Sequence, residues 1–217
     1  MNAEWLTFKF ETLNDTPWNA TVLSVAFVGG QWSDLGVEAD VEKLLKNGEE
    51  YFFVVKNQKE SYGRVSSTDT IEWWKKQPVE AQNKVFKPES KIDLSQLPTV
   101  FNDYCRAIGV NDKTMIMLNG TIFHATLMQS LYKTFDEKMP YEFWNVRDVR
   151  TILDIISGST KLYGIDQYAK EKYDLNRYDA LHECIKTVLQ ASLVLCEEGK
   201  TVKKDYEKYG ISLYTKW

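Results

Sequence analysis

Histidine and cysteine are both scarce in this chain of 217 residues, which has two histidines and three cysteines. The cysteines are Cys105, Cys184 and Cys196, and no two of them form a C-x-x-C pair. Two histidines and three scattered cysteines do not complete a typical structural zinc site, so the sequence excludes one. We expect the cysteines to be reduced, buried thiols, as in a cytosolic protein.

Long apolar runs and an excess of positive charge are also missing. No stretch approaches the roughly 18 apolar residues that a membrane-spanning helix needs. Residues 1–4 contain neither the basic nor the apolar segment of a signal peptide. The formal net charge is −4, so no global positive field attracts nucleic acid, although a groove can still be locally basic. We therefore expect a soluble, cytoplasmic protein.

The remaining composition is that of an ordinary globular domain. Hydrophobic residues make up 43% of the chain and charged residues 27%. A chain of this length fits one α/β domain. We expect that domain to occupy residues 1–200, followed by a charged, aromatic tail over residues 201–217.

Strand-like segments occupy the first third of the chain. Trp5–Phe10 alternates between apolar and polar residues, and Thr21–Val28 is rich in β-branched residues and ends at two glycines. A third strand is predicted over Tyr51–Val55, after a short helix near Val41–Asn47. Three strands with short links predict an antiparallel meander.

Helical patterns then alternate with two further strands. Capping residues and apolar spacing predict helices over residues 67–77, 94–108, 123–135, 148–156 and 179–196. Short apolar runs predict strands over residues 114–118 and 143–146. The order of elements is that of an α/β fold.

Five motifs stand out along the chain: Phe8–Thr12 (FKFET), Thr70–Gln77 (TIEWWKKQ), Asn119–His124 (NGTIFH), Phe143–Thr151 (FWNVRDVRT) and Tyr178–Glu183 (YDALHE). The second and the fourth are specific because they contain strings of rare residues, Glu-Trp-Trp-Lys and Phe-Trp-Asn-x-Arg-Asp. Together the five motifs resemble the DEDDh group of 3′–5′ exonucleases, in particular the DexA-like enzymes of tailed phages. The resemblance covers most of the chain. It implies a ribonuclease H-like fold, in which helices flank a mixed sheet, and the predicted order of elements agrees with it.

The resemblance also implies a reaction and a set of site positions. Enzymes of this group hydrolyse phosphodiesters with two Mg²⁺ ions about 4 Å apart, held by four carboxylates, with a histidine as general base. Carried over to this chain, the four acidic positions are Lys9, Glu11, His124 and Glu183, and the position of the base is Tyr178.

The charges at these positions do not suit two divalent ions. Lys9, Glu11, a neutral His124 and Glu183 together carry −1, whereas four carboxylates carry −4. The Lys9 ammonium also repels metal ions. A tyrosine hydroxyl, with its usual pKa of about 10, is a poor base at neutral pH. We therefore predict an exonuclease-like protein that is catalytically inactive and has no resident cofactor.

The same residues support two other interpretations. Lys9, Glu11 and Glu183 form a buried ion-pair network that replaces the metal ions structurally. Alternatively, Glu11, His124 and Glu183 hold one Mn²⁺ or Mg²⁺ ion in a rebuilt site, which gives a metal-dependent 3′–5′ exonuclease acting on DNA or RNA.

Five residues are candidates for contact with a single-stranded nucleic acid. Trp73 and Trp74 are suited to stack on bases, although we expect at least one of them to belong to the core. Asn119 replaces an arginine of the family motif, and Arg147 and Arg150 are candidates for phosphate contacts. Arg147 equally suits a structural pair with the aspartate that follows it.

The sequence thus leads to two functions of different classes. The first is a phage-encoded pseudoenzyme that binds a host or phage protein, or a nucleic-acid end, as an inhibitor or anti-defence factor in the cytoplasm of an infected or lysogenic bacterium. The acidic net charge favours a protein partner. The second is the exonuclease with a single metal ion.

Overall fold

One mixed sheet organises the chain. The computed structural model describes residues 2–35 and 39–195, so Cys196 and the predicted tail over residues 201–217 lie outside the described residues. Within them, five strands have the order β3-β2-β1-β4-β5. The strands are β1 (Trp5–Thr12), β2 (Val22–Gly30), β3 (Glu49–Phe52), β4 (Met115–Leu118) and β5 (Val146–Asp148).

The first three strands form the predicted antiparallel meander. Phe8 of β1 lies opposite Phe27 of β2, and Val25 of β2 lies opposite Tyr51 of β3. Strands β4 and β5 continue the sheet in parallel, with Leu6 of β1 beside the second residue of β4. β1 is therefore the middle strand and is paired on both sides.

Helices cover the sheet and connect its strands. They are α1 (Val41–Asn47), α2 (Gln58–Tyr62), α3 (Thr68–Lys75), α4 (Val79–Phe86), α5 (Leu97–Ile108), α6 (Thr121–Thr134), α7 (Val149–Ser157), α8 (Ile165–Tyr173) and α9 (Ala180–Leu195). The predicted helices are all present, whereas α2, α4 and α8 were not predicted. None of the helices in the described part of the chain is long and apolar enough to cross a membrane.

The helix ends follow local chemistry that the sequence makes visible. The Ser67 hydroxyl accepts a hydrogen bond from the amide of Thr70 and so caps α3. The Asp148 carboxylate accepts one from the amide of Arg150 at 2.8 Å and caps α7. Helix α5 ends at Gly109, whose φ of 76° is the left-handed conformation that glycine adopts without strain.

The strand predicted over residues 143–146 was wrong at its start. Phe143–Asn145 forms a 3₁₀ turn, and β5 begins only at Val146. The side chains of Phe143 and Trp144 are 76% and 58% exposed. Their aromatic character is typical of a strand, but they do not pair with the sheet, so that pattern misled the prediction.

Alternate residues of β1 face opposite sides of the sheet. Phe8 and Phe10 belong to the apolar cluster that packs against α5 and α6. Trp5 belongs to the second cluster, which packs against α7, α8 and α9. Lys9 and Glu11 lie an even number of residues after Trp5 on the strand, so their side chains point to the same side of the sheet as Trp5, the side of α9.

Edge-to-face aromatic contacts hold the first of these clusters together. The ring of Phe101 lies 5.6 Å from that of Phe8 and 5.0 Å from that of Phe27, measured between centroids. Such pairs add about 0.5–1.5 kcal/mol each beyond the burial of their area.

Two of the three cysteines lie in the described part of the chain. Cys105 and Cys184 are buried free thiols, as expected.

Candidate nucleic-acid site

A cavity of about 490 Å³ opens at the carboxyl end of β1. It is bounded by β1 and the loop after it, the first turns of α3 and α6, and the start of α7. The structure brings seven of the predicted site residues together around it, namely Lys9, Glu11, Trp73, Trp74, Asn119, His124 and Arg150. Arg147, Tyr178 and Glu183 do not line this cavity.

Glu11 is a buried carboxyl group in a mostly negative environment. Burial raises its pKa to about 7, the charge of Lys9 opposes the rise, and the charges of Glu183, Glu50 and Asp179 add to it. At neutral pH the Glu11 carboxyl is therefore close to half-protonated.

The predicted ion pair of Lys9 was wrong. Among the described residues, no carboxylate lies within 4.0 Å of the Lys9 ammonium. Glu183 is bound instead by Lys186, at 2.5 Å and one helical turn away, and buried Lys186 also contacts Asp166 at 2.7 Å. A partner on the same helix is nearer to Glu183 than one on β1. Lys9 still acts on Glu11 through the electric field between them.

A second lysine holds the other carboxylates of this region. The Lys84 ammonium on α4 forms ion pairs with Glu50 of β3, at 2.8 Å, and with Asp179. Asp179 also accepts a hydrogen bond from the amide of His182 at 3.0 Å, at the start of α9. Sequence reasoning missed Glu50, Lys84, Lys186 and Asp166, which all lie outside the recognised motifs. Apart from the pair of Lys186 with Glu183 on α9, their ion pairs join separate elements. Only Asp179 falls inside a motif that the sequence marks.

His124 is buried and uncharged. Burial lowers its pKa well below the usual value, and the positive charges of Lys9 and Arg150 lower it further. Its Nδ1 atom accepts a long hydrogen bond, 3.4 Å, from the amide of Phe10, and its ring lies nearly parallel to the Phe10 ring. A neutral imidazole whose Nδ1 accepts carries its proton on Nε2. Neither nitrogen then has a free lone pair for a metal ion.

Trp73 and Trp74 have different roles, as predicted. Trp74 is 1% exposed, and its indole Nε1 donates to the carbonyl of Thr12 at 2.9 Å. Trp73 is 42% exposed and presents its ring to the cavity. At least one tryptophan is thus part of the core, and the other has a surface on which a base can stack.

Tyr178 packs against these tryptophans. Its ring centroid lies 5.2 Å from that of Trp73 and 6.2 Å from that of Trp74, and the guanidinium of Arg177 lies over its other surface at 5.1 Å. Tyr178 lines a second cavity of about 670 Å³ that Lys84 also lines. The residue that the resemblance gives as the general base thus lines a different cavity from Glu11.

Asn119 and Arg150 form a unit at the start of α6. The Arg150 Nε donates to the Asn119 side-chain oxygen at 2.8 Å, and the Asn119 amide donates to Gln190 of α9 at 3.1 Å. Gly120 has a φ of 98°, and its missing side chain leaves room for the Arg150 guanidinium, whose atoms lie 3.6 Å from the position of a Cβ. Arg150 is thereby held at the edge of the cavity.

Arg147 does not reach the cavity. Its guanidinium donates to the carbonyls of Trp144 and Val146, at 2.6 and 2.9 Å. Asp148 accepts instead from the backbone amide of Thr121 at 2.9 Å, which joins α6 to α7. Arg147 thus stabilises its own segment and does not pair with Asp148.

The residues present do not fit the pair of metal ions that the resemblance implies. Lys9 brings a positive charge to the position of one carboxylate, and Glu183 and Asp179 are already bound by Lys186 and Lys84. Such ions need several free carboxylate oxygens at short distances. We therefore derive no catalytic step through a metal ion.

Comparison with known proteins places the chain among exonucleases. The profile of the family described as the 3′–5′ exoribonuclease Rv2179c-like domain matches residues 6–195. An exodeoxyribonuclease of enterobacteria phage T4 is 24% identical over 200 residues, which cover 86% of each chain.

Solved structures confirm the ribonuclease H-like fold. Escherichia coli exonuclease I in a zinc-bound complex with single-stranded DNA superposes with a TM-score of 0.58 at 11% identity, covering 96% of this chain and 43% of the other. The nuclease domain of 3′hExo, a DEDDh family member bound to rAMP, superposes with a TM-score of 0.56 at 12% identity, covering 98% and 96%. The chain thus spans less than half of exonuclease I.

Proposed function

Because this chain belongs to the family of 3′–5′ exoribonuclease Rv2179c-like domains, we propose that it binds the end of a single-stranded nucleic acid without hydrolysing it. The observation that carries this proposal is the position of Lys9, whose ammonium lines the same cavity as Glu11. A positive charge at this point supplies to a phosphate what a metal ion supplies in a two-metal site.

The charges around Glu11 support the loss of hydrolysis. Lys84 forms ion pairs with both Glu50 and Asp179, and buried Lys186 forms ion pairs with Glu183 and Asp166. A divalent cation that binds these carboxylates has to compete with the two ammonium groups. In this proposal the lysines hold the former catalytic region together.

The cavity also has the chemistry of a single-strand site. It combines the exposed ring of Trp73 with the positive charges of Lys9 and Arg150. Stacking on aromatic rings next to cationic groups is how proteins bind single strands without reading their sequence. The ligands named for the structural relatives, single-stranded DNA for exonuclease I and rAMP for 3′hExo, agree with both DNA and RNA as candidates.

An exonuclease with one metal ion is the second candidate, and the name of the phage T4 relative, exodeoxyribonuclease, favours it. Glu11, His124 and Glu183 would have to provide its ligands. This function requires His124 to give up its hydrogen bond with the Phe10 amide. The protein partner and the inhibitor role expected from the sequence stay predictions.

Binding and hydrolysis are tested together with the purified full chain. Fluorescein-labelled single strands of DNA and RNA are titrated in EDTA, and the same strands are incubated with Mg²⁺ or Mn²⁺ and resolved on a denaturing gel. We expect anisotropy to rise in EDTA and the strands to keep their length with either metal. Metal-dependent shortening would establish the second candidate instead.

A matched pair of tryptophan variants locates the binding surface. Trp73→Ala should weaken binding about 5- to 150-fold, since stacking of one base contributes about 1–3 kcal/mol. Trp144→Ala removes a tryptophan that is more exposed than Trp73, 58% against 42%, from the 3₁₀ turn before β5. This turn lies outside the cavity, so the variant should leave the affinity unchanged. Equal losses for the two variants would contradict the proposed location.

A further inference from the structure

Two cations without carboxylate partners lie at one side of the cavity. Lys9 reaches it from β1 and Arg150 from α7, and in residues 2–35 and 39–195 neither has a carboxylate within 4.0 Å. We infer that Lys9 and Arg150 bind a terminal 3′-phosphate, so that the preferred ligand is a single strand ending in a phosphate rather than in a hydroxyl. This inference rests on the proposed function.

Lys9 faces the interior of the site. It lines the cavity together with Glu11 of the same strand and His124 of α6, and its charge acts on both groups. The side chain of Lys9 is only partly exposed, so a phosphate that pairs with it lies inside the cavity. A charge pair shielded from water is stronger than the same pair on the surface.

The guanidinium of Arg150 has hydrogen-bond donors that are available to a ligand. Its Nε binds Asn119, and in the described structure its two terminal nitrogens have no hydrogen-bond acceptor. They lie beside Gly120, at the first turn of α6. The planar fork of a guanidinium matches two oxygens of one phosphate. The positive end of the 14-residue helix α6 adds to the attraction.

The charge of the ligand follows from this pair of cations. A phosphate monoester carries about −1.5 to −2 at pH 7, whereas an internal diester carries −1. Two cations therefore favour a terminal phosphate over a diester.

Acidic residues that line the cavity limit where the terminal phosphate can lie. Glu11, Asp15 and Asp69 would repel a dianion. Asp15 and Asp69 come from the loop after β1 and from α3, whereas Arg150 comes from α7.

The experiment compares strands that differ only at their ends. Ten-nucleotide thymidine strands with a 3′-hydroxyl, a 3′-phosphate or a 5′-phosphate are titrated into the full chain by calorimetry in EDTA. We expect the 3′-phosphate strand to bind about tenfold more tightly than the 3′-hydroxyl strand, as charge-assisted hydrogen bonds contribute about 1.5–3 kcal/mol. The 5′-phosphate strand should bind like the 3′-hydroxyl strand.

Variants test the assignment of the two cations. Lys9→Gln and Arg150→Gln should each reduce the ratio of the two affinities towards one and lower the salt dependence of 3′-phosphate binding by about 0.7 in the log–log slope. Lys113→Gln removes a lysine just before the amino end of β4, at the opposite end of the strands from the cavity. It should change neither the ratio of affinities nor the salt dependence. Arg150 is exposed, so its variant remains informative if Lys9→Gln does not fold.

The outcomes separate the two proposals. Equal affinity for 3′-phosphate and 3′-hydroxyl strands overturns the inference and leaves the proposed function intact. A preference for the 5′-phosphate strand overturns the inference as well. Failure to bind any of the strands overturns the proposed function itself.

Discussion

The ring of Trp73 meets the ring of Tyr178 edge-on, with 5.2 Å between centroids and 86° between planes. Trp73 belongs to α3, and Tyr178 lies two residues before the start of α9. Each residue lines a different cavity, so their contact separates the proposed nucleic-acid site from the second cavity. Tyr178 supports the ring on which we expect a base to stack.

From this contact we predict that the ring of Tyr178 contributes to stability and to nucleic-acid binding, whereas its hydroxyl contributes to neither. Tyr178→Phe should change neither nucleic-acid affinity nor the free energy of unfolding by more than about 0.5 kcal/mol. Tyr178→Ala should cost about 1–3 kcal/mol of stability and weaken binding, because the tyrosine packs in the cluster around Trp74. Urea unfolding and anisotropy measure the two effects. A large loss of function in the phenylalanine variant would assign a chemical role to the hydroxyl.

Glu11 predicts a pH-dependent stability. Its pKa is about 7 in the folded protein against an ordinary value of 4.5. The folded state therefore keeps a proton that the unfolded state has lost, and ionisation of Glu11 destabilises the protein increasingly as the pH rises from 4.5 to 7. Glu11→Gln should stabilise the protein at pH 8 by on the order of 1–3 kcal/mol and have little effect at pH 4.5.

Urea unfolding at the two pH values measures this difference. Glu60→Gln is the matched control, because Glu60 is an exposed glutamate on α2. Its effect should be small at both pH values. A Glu11→Gln variant that is no more stable than the natural chain at pH 8 would contradict the raised pKa.

Replacement of Lys84 should lower the free energy of unfolding more than replacement of an exposed lysine. Lys84→Met leaves Glu50 and Asp179 without their common counter-charge and should cost about 1–3 kcal/mol. Lys75→Met removes an exposed pair with Glu72 and should cost less than about 0.5 kcal/mol. Chemical denaturation of both variants checks the contrast, which disappears if the Lys84 pairs are as weak as surface pairs.

A reconstructed site tests the descent of the fold and the loss of chemistry together. The quadruple variant Lys9→Asp, His124→Asp, Tyr178→His and Glu183→Asp restores the residues that the family motifs have at these positions. We expect it to bind Mg²⁺ and to gain weak 3′–5′ hydrolysis of single strands, whereas each single variant gains nothing, since groups that act as a unit are not additive. Calorimetry with Mg²⁺ and a gel assay measure both properties.

Two negative results have different meanings for this variant. If it folds and binds Mg²⁺ without cleaving a strand, the cavity has changed beyond its ligands. If it folds and binds no Mg²⁺, Lys186 and Lys84 still occupy the carboxylates. Adding Lys186→Met then distinguishes competition by lysine from a wrong placement of the four positions.

The sequence predicted the parts of the site that depend on local geometry. The alternation of β1 correctly puts Lys9 and Glu11 on one face, and the motifs correctly bring Asn119 and His124 to the same cavity. The caps at Ser67 and Gly109 are equally local, and the helices predicted over residues 67–77 and 94–108 begin and end next to them.

The parts that were missed depend on how distant elements pack. Lys84 and Asp179 are 95 residues apart, and no sequence pattern around either residue predicts their ion pair. The pairing of Glu183 with Lys186 is local, at a spacing of three residues on α9, whereas the family resemblance favoured Lys9 as the partner. The contact of Tyr178 with Trp73 depends on how α3 packs against the start of α9, which spacing alone does not reveal.

The middle strand separates two requirements that often conflict in enzymes. Phe8 and Phe10, on one face of β1, belong to the hydrophobic core. Lys9 and Glu11, on the opposite face, line the cavity. A substitution at Lys9 or Glu11 changes the charge of the site and removes no side chain from the aromatic cluster on the other face. A lineage built on this strand can therefore alter the chemistry of the site without first rebuilding the core beside it.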